Sequence, residues 1–263
     1  MDKPVQKHRK KLNTEQLEVL ELLYKFRFGS NDLIAQYFGK KNRSFVFKRL
    51  SILLDQGLIG KRFDSSYRIQ GKPAAYYLLP PGARVLQEHQ PGKPINIKAI
   101  YKDKDVSEEF VDYCLSIFAL YCRLKASYGN KLHFFTKPQL TKYEYFSEFT
   151  PSVYIRLDGD IEQDFFLEYF QSSKPFFTAT RRIKQYIEYA DSGEWEAETN
   201  SDFPKILLVC DRPSLQSRLL KRAAYVLDEA DDELKLFVAT RADLNIWHNL
   251  VDQNEEPLQS LLY

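Results

Sequence analysis

The stretch from Asn42 to Leu79 limits the folds open to this 263-residue chain more than any other part of its sequence. Its first part, through Asp55, carries apolar residues at helical spacing, which predicts a helix with one buried face. That apolar stripe comprises Val46, Leu50, Leu53 and Leu54. Gly57 then suits the left-handed backbone position at which many helices end. Basic and hydroxyl side chains cover the other faces, so the sequence predicts a helix with a cationic outer surface.

Two short strand-like runs follow this helix, at residues 58–63 and 75–79, and the turn-rich residues 64–73 join them. A basic helix followed by a basic hairpin is typical of a winged helix-turn-helix module. In such a module one helix enters the major groove of DNA, and the hairpin touches the backbone nearby. The candidate DNA-binding residues are Arg43, Ser44, Lys48, Arg49, Lys61, Arg62, Arg68 and Lys72.

The charges of the chain are distributed unevenly. Residues 1–90 carry 17 Lys and Arg against 8 Asp and Glu, whereas the remainder carries 21 against 28. A basic first part on an acidic body predicts that polyanion binding is concentrated in the first part. The alternative is a basic surface that only keeps this part of the protein in solution.

The sequence also predicts two domains. Residues 13–89 fit three helices and a hairpin, and the Pro-, Gly- and Lys-rich residues that follow predict a linker at 90–104. Residues 105–263 alternate helical and strand patterns, which predicts an α/β sandwich with a mixed sheet and hence an α+β fold class. The helices are expected at 106–128, 178–189 and 214–228, and the strands at 132–136, 153–157, 165–170, 206–210 and 234–239.

Several protein classes do not fit this sequence. No apolar run approaches the roughly 20 residues that span a bilayer, and the basic N-terminal residues lack the apolar core of a secretory signal. Three cysteines without metal-like spacing predict buried, reduced thiols and hence a cytoplasmic protein. The missing apolar run predicts that the protein has no membrane partner. The four histidines are too dispersed for a histidine metal cluster. No P-loop, dinucleotide-binding loop or nucleophile elbow occurs.

Motifs in both halves resemble one protein family. In the first half they are Leu17 with Leu20, the run from Arg49 to Ile59, and the run from Tyr77 to Gly82. These resemble the winged-helix module of the replication-relaxation proteins of plasmids and other mobile elements. In the second half the motifs are Thr150-Pro151-Ser152, Phe166-Leu-Glu168-Tyr-Phe170 and Arg181-Arg-Ile-Lys184-Gln-Tyr186. These resemble that family's C-terminal domain, which is similar to the PD-(D/E)xK (restriction-endonuclease-like) nuclease fold.

This resemblance implies a degenerate catalytic site. In active nucleases of this fold, carboxylates on two neighbouring strands hold Mg²⁺, and a lysine two residues after the second carboxylate activates water. Here Ser152 replaces the first carboxylate and Phe170 replaces the lysine, so that Glu168 alone remains. The vestigial-site candidates are Ser152, Glu168, Phe170, Lys184 and Asp158. We therefore expect no metal, no cofactor and no enzymatic activity.

Two other interpretations of these acidic residues stay open. Asp158 or Asp160 could supply the missing carboxylate, with Glu109 as a further ligand, although Asp158-Gly-Asp160 also suits a hairpin turn. Alternatively, Glu168 is a paired strand residue, with Lys184 or Arg181 as its structural partner. The aromatic residues within 137–149 could likewise stack on single-stranded bases, or cap the sheet.

Three functions follow from these observations. The first is a sequence-directed double-stranded DNA-binding protein, whose nuclease-like domain serves as a scaffold or an interaction surface. For this protein the resemblance implies a role in the replication or mobilisation of a plasmid or other mobile element. A second copy of the chain and replication or transfer proteins are then candidate partners. The second is a metal-dependent nickase that uses Glu168 and Mg²⁺. The third is a winged-helix transcriptional regulator.

Overall fold

The computed structural model describes residues 12–92, 95–146, 149–160, 162–227 and 234–261. The basic N-terminal residues 1–11 lie outside this range. Contacts divide the chain into two units, Met1–Cys122 and Arg123–Tyr263, called here the first unit and the second unit. No helix of the described residues is both long and apolar enough to cross a membrane.

The first unit follows the predicted order of helices and hairpin. Its helices are α1 (Thr14–Phe26), α2 (Asn31–Tyr37), α3 (Arg43–Asp55), α4 (Ser65–Ile69), α5 (Pro80–His89), α6 (Ile97–Ile100) and the start of α7 (Glu108–Tyr128). Its strands are β1 (Phe28–Ser30), β2 (Ile59–Arg62) and β3 (Ala75–Leu78). They form an antiparallel sheet in the order β1-β3-β2. This is the arrangement of a winged helix-turn-helix with a third strand between α1 and α2.

Local signals in the sequence start and stop these helices. The Asn13 side chain accepts a hydrogen bond from the Gln16 backbone N–H, and the Gln16 side chain accepts one from the Asn13 backbone N–H, so that a capping box starts α1. Ser30 caps α2 and Asn42 caps α3. Gly57 ends α3 with a φ of 65°, as the sequence predicts.

Residues 95–105, which include most of the predicted linker, are largely exposed but are attached to the first unit at two positions. Ile100 is buried, and the buried carboxylate of Asp103 pairs with Arg27. The phenyl ring of Phe118, in α7, stacks on Phe26 with ring centroids 4.3 Å apart. The division between the two units therefore falls inside α7.

The second unit is a mixed sheet with helices. Its strands are β4 (Leu132–Thr136), β5 (Val153–Leu157), β6 (Gln163–Phe170), β7 (Lys205–Cys210), β8 (Leu236–Thr240) and β9 (His248–Asn249). Its helices after α7 are α8 (Lys137–Leu140), α9 (Phe176–Asp191), α10 (Glu194–Thr199) and α11 (Pro213–Val226). The strand order is β4-β5-β6-β7-β8-β9, with parallel pairing only at β6-β7 and β7-β8. The predicted mixed α/β architecture is confirmed.

The core of the second unit explains this pattern. Strands β7 and β8 are apolar on both faces, as expected for parallel strands that are covered on both sides. Side chains of α9 and α11 pack in one apolar cluster with the alternate residues of β6, β7 and β8. Glu168 lies on that same face of β6, between Phe166 and Phe170, and is the polar residue in an apolar row.

Candidate nucleic-acid interface and a buried carboxylate

Helix α3 has one buried and one exposed face. Val46, Leu50 and Leu53 are fully buried, as their spacing predicts. The Asn42 side chain accepts a hydrogen bond from the Ser44 amide at 2.9 Å and so fixes the first turn. The exposed face comprises Arg43, Ser44, Phe47, Lys48 and Ile52. It therefore combines cations, a hydroxyl and an aromatic ring, the groups that contact phosphates and base edges in a DNA groove.

The turn between α2 and α3 orients this face. Gly39 has a φ of 63°, which a residue without a side chain adopts at no steric cost. Arg43 donates through Nε to Asp32 of α2, with the two atoms 3.0 Å apart. Both side chains of this pair are largely exposed, so water screens it and a phosphate could replace the carboxylate. Lys48 has no ion-pair partner among the described residues.

Arg49 was predicted from the sequence to bind DNA, but its side chain is directed inwards. Its guanidinium pairs with Glu15 of α1 and donates to the carbonyl oxygen of Phe45 at 3.1 Å. The guanidinium also lies over the Phe45 ring, and only 18% of the side chain is exposed. These contacts join α3 to α1 and leave little of the charge for a ligand.

Two cations of the hairpin have similar intramolecular roles. Arg62 donates through Nη1 to the carbonyl oxygen of Val106 at 2.6 Å. Lys72 lies 2.9 Å from Asp112 and 3.5 Å from Glu108, both in α7. The hydrogen bond to Asp112 raises the pKa of Lys72 above its ordinary value. Lys72 thus attaches the hairpin to α7, and Arg62 attaches it to Val106, just before that helix.

Lys61 and Arg68 remain exposed on the hairpin. Their charged groups lie 5.1 Å and 5.8 Å from the centroid of the Phe63 ring. The connection between β2 and β3, expected as turns, contains α4, which Asp64 caps by accepting hydrogen bonds from the Ser66 and Tyr67 amides. Ile69, at the end of α4, is 85% exposed. The hairpin thus carries two exposed cations and an exposed apolar tip.

Sequence reasoning missed three apolar residues of this surface, Phe47, Phe63 and Ile69. Phe47 is 54% exposed although it belongs to a well-packed helix. The sequence could have identified Phe47, because this residue lies outside the apolar stripe through which α3 packs on the core. The exposure of Phe63 and Ile69 depends on the path of the hairpin, which the sequence pattern does not give.

In the second unit, Glu168 is buried within a network of hydrogen-bond donors. Its carboxylate accepts from the Ser152 amide at 3.0 Å and from the Ser152 hydroxyl at 2.5 Å. Arg182 donates to it through Nε at 2.8 Å and Nη2 at 2.6 Å, and the Tyr186 hydroxyl donates at 2.8 Å. Only 4% of Glu168 is exposed. The carboxylate is therefore neutralised and fully coordinated by protein donors.

Arg182, which lies between the two basic residues singled out from the sequence, makes the ion pair with Glu168. It also donates to the carbonyl oxygen of Thr150 at 2.6 Å, and its guanidinium lies 4.1 Å from the Phe149 ring centroid. Arg181 and Lys184 are exposed on α9. The helical spacing of Ile183 and Tyr186 identifies the inner face of α9. Arg182 lies at the margin of that face, where the periodicity does not show whether its side chain points inwards or outwards.

The residues around Glu168 do not fit a Mg²⁺ site. Mg²⁺ requires several oxygen ligands, whereas the groups that contact Glu168 are hydrogen-bond donors and one of them is a cation. Asp158 pairs with His133 at 2.8 Å beside the turn between β5 and β6, and Asp160 is exposed in that turn. Phe170 is buried in the apolar core. No group of three or more His, Cys, Asp or Glu in the described ranges is placed to hold a metal ion.

Comparisons with known proteins place the chain in a family. No curated protein matches it. Among solved structures it is similar to two mutants of Lactococcus lactis ZitR, at 19% identity and a TM-score of 0.27, a similarity too weak to define a shared fold. The match to the first mutant covers 45% of this chain and 76% of the ZitR chain. The match to the second mutant, which is a complex with DNA, covers 44% of this chain and 75% of the ZitR chain.

The family model described as replication-relaxation matches residues 20–206, which include parts of both units and more than half of the chain. The resemblance identified from the sequence is thereby confirmed. This protein belongs to the replication-relaxation family.

Proposed function

We propose that this protein binds double-stranded DNA in the replication or mobilisation of a plasmid or other mobile element. Helix α3 enters the major groove, and the β2–β3 hairpin contacts the backbone beside it. The observation that carries this proposal is the outer face of α3, which exposes Arg43, Ser44 and Lys48 together with the ring of Phe47. Membership of the replication-relaxation family supports the connection to replication.

The proposed contact set is smaller than the set of basic residues in this region. Arg43, Ser44 and Lys48 on α3, with Lys61 and Arg68 on the hairpin, are exposed and able to reach phosphates. Arg49, Arg62 and Lys72 are assigned to the internal structure of the first unit, because their charged groups already have partners there.

The salt dependence of duplex binding tests this proposal. Replacing Lys48 with Ala removes one phosphate contact, so we expect weaker binding and a salt slope lower by about one unit. Binding is measured by filter retention of a random-sequence duplex pool over a range of salt concentrations. Lys98→Ala makes the same charge change on α6, outside α3 and the hairpin, and should leave the slope unchanged. Equal slopes for Lys48→Ala and the wild-type protein would contradict the placement of α3.

We also propose that the second unit is a degenerate nuclease-like domain that serves as a scaffold or an interaction surface. The donors around Glu168 support this, because a guanidinium and two hydroxyls already coordinate the one carboxylate that the family motif retains. Supercoiled plasmid incubated with Mg²⁺ or Mn²⁺ should therefore remain intact. Nicking by the wild-type protein that disappears in a folded Glu168→Gln variant would establish the nickase instead.

A reducing compartment such as the cytoplasm fits the three cysteines. Cys114, Cys122 and Cys210 are all buried and unbridged. Burial raises the pKa of the Cys114 and Cys210 thiols to about 12, so that neither forms the reactive thiolate near neutral pH. Labelling by a thiol reagent should be slow in the native protein and fast in urea.

A further inference from the structure

A cleft of about 620 Å³ opens within the second unit, between the β4–β5 edge of the sheet and α10. Its volume falls in the range of roughly 300–1,000 Å³ that is usual for ligand sites. None of the residues that line it belongs to the Glu168 network or to the proposed DNA-binding set. Its wall and its rim differ in chemistry, and together they define what it can bind.

Aromatic rings form the wall of the cleft. Phe135 and Tyr154 are opposite each other in the β4–β5 register and stack with centroids 5.8 Å apart. Tyr154 also lies 5.8 Å from Trp195 of α10, which meets Tyr145 edge-to-face at 5.7 Å. Trp195 is buried, whereas the other three rings are only half-buried. Their exposed faces offer a surface for a cation or a flat group.

Acidic groups dominate the rim. The lining contains three carboxylates, those of Asp158, Glu162 and Glu198, against the single guanidinium of Arg156. Arg156 is already committed, because it donates to both oxygens of Asp164 at 2.8 Å and 3.0 Å. The cleft therefore has a negative charge that repels phosphate and attracts cations.

Glu198 is the carboxylate most available to a ligand. It is exposed on α10 and has no ion-pair partner within the described ranges. Asp158, by contrast, pairs with His133, and Glu162 lies 3.5 Å from Arg156. A cation that enters the cleft can thus pair with Glu198 while it lies against the aromatic wall.

We propose that this cleft binds an arginine side chain presented by a partner protein. The guanidinium group is planar and weakly hydrated, so it stacks on aromatic faces and pairs with a carboxylate at the same time. An ammonium group has no flat surface to stack. Single-stranded nucleic acid could use the same rings, but its phosphates would meet the acidic rim.

Fluorescence anisotropy of a labelled, blocked peptide of alternating Gly and Arg, titrated with the full chain, tests this assignment. We expect Glu198→Gln to weaken binding about threefold, the range of a partly exposed ion pair. Glu196→Gln changes the same charge at an exposed position on the same helix that does not line the cleft, and should bind like wild type. Phe135→Leu, which removes a stacking face, should weaken binding at least about threefold.

Three outcomes would overturn the proposal. The first is equal affinity of Glu198→Gln and Glu196→Gln for the arginine peptide. The second is equal affinity of the wild-type protein for the corresponding lysine peptide. The third is binding of an oligo(dT) strand that Phe135→Leu weakens and Glu198→Gln strengthens, because removal of a negative charge favours a nucleic acid and disfavours an arginine.

Discussion

Arg49 and Arg182 carry the same charge as the exposed Arg43, but their guanidinium groups are partly buried and bound by other residues of the protein. Each pairs with one carboxylate, lies over an aromatic ring and donates to a backbone carbonyl. Residue type and helical position suggested a ligand-binding role for Arg49 and did not single out Arg182. Burial decided both roles, because a charge removed from water must find its partners within the fold.

Replacing Arg182 with Met should lower the free energy of unfolding of the second unit by about 3 kcal/mol, because it leaves the buried Glu168 without its counter-charge. Trp195 and Trp247 both belong to the second unit, so fluorescence during urea unfolding reports on this change. Arg181→Met alters the exposed neighbouring residue and should change stability by less than about 0.5 kcal/mol. Equal effects of the two substitutions would show that the ion pair does not stabilise the unit.

Replacing Arg49 with Met should separate stability from DNA binding. The variant loses the pair with Glu15, so we expect it to be less stable by about 1 kcal/mol. Its salt slope for duplex binding should match that of the wild type, in contrast to Lys48→Ala. Thermal unfolding followed by circular dichroism gives the first quantity, and the filter assay gives the second. A slope reduced by about one unit would return Arg49 to the phosphate-contacting set.

At the scale of elements, the long helices and strands were predicted from the sequence and most of the short ones were missed. The strand patterns at 132–136 and 153–157 match β4 and β5 at both ends, and α3 ends at Asp55 as its spacing predicts. The elements that were missed are short ones: β1, α4, α6, α8, α10 and β9. A strand of three residues is too short to establish an alternating pattern, and β1 exists because β3 offers it hydrogen-bond partners.

Substitution of Gly82 tests how closely α5 packs against the hairpin in the first unit. A Cβ atom at residue 82, in α5, would overlap the carbonyl oxygen of Leu58, at the start of the hairpin. Backbone cannot move aside as a side chain can, so Gly82→Ala should destabilise the unit by about 2 kcal/mol. Gly92→Ala is the matched control, because its Cβ would meet no atom within 4 Å. Circular dichroism during heating measures both, and a stabilised Gly82→Ala variant would contradict this packing.

At the scale of the whole molecule, the composition of residues 90–104 predicted a linker, and two residues of this largely exposed segment are buried against the first unit. Pro, Gly and Lys mark a segment without regular structure, but they do not show whether it is attached to a neighbour. Ile100 and Asp103 attach this one. The boundary at residues 90–104 stays a prediction, and it concerns which fragment of the chain folds alone.

Two fragments of the chain distinguish the boundary predicted at residues 90–104 from the division at residue 122. A fragment that ends at residue 92 lacks the Asp103 partner of Arg27 and the Phe118 ring that stacks on Phe26. We expect it to unfold at a lower temperature than a fragment that ends at residue 122. Equal melting temperatures and equal cooperativity would place the boundary at the sequence-predicted linker.

The sequence by itself determined the family, the mixed α/β class, the long helices and strands, and the basic character of the first 90 residues. These properties follow from motifs, periodicity and composition, which are local along the chain. Only the tertiary structure decided which cations face solvent, that Arg182 neutralises Glu168, and that aromatic and acidic residues from β4, β5 and α10 enclose one cleft. Such contacts join residues far apart in the chain, and burial and partner geometry select among side chains that look alike in the sequence.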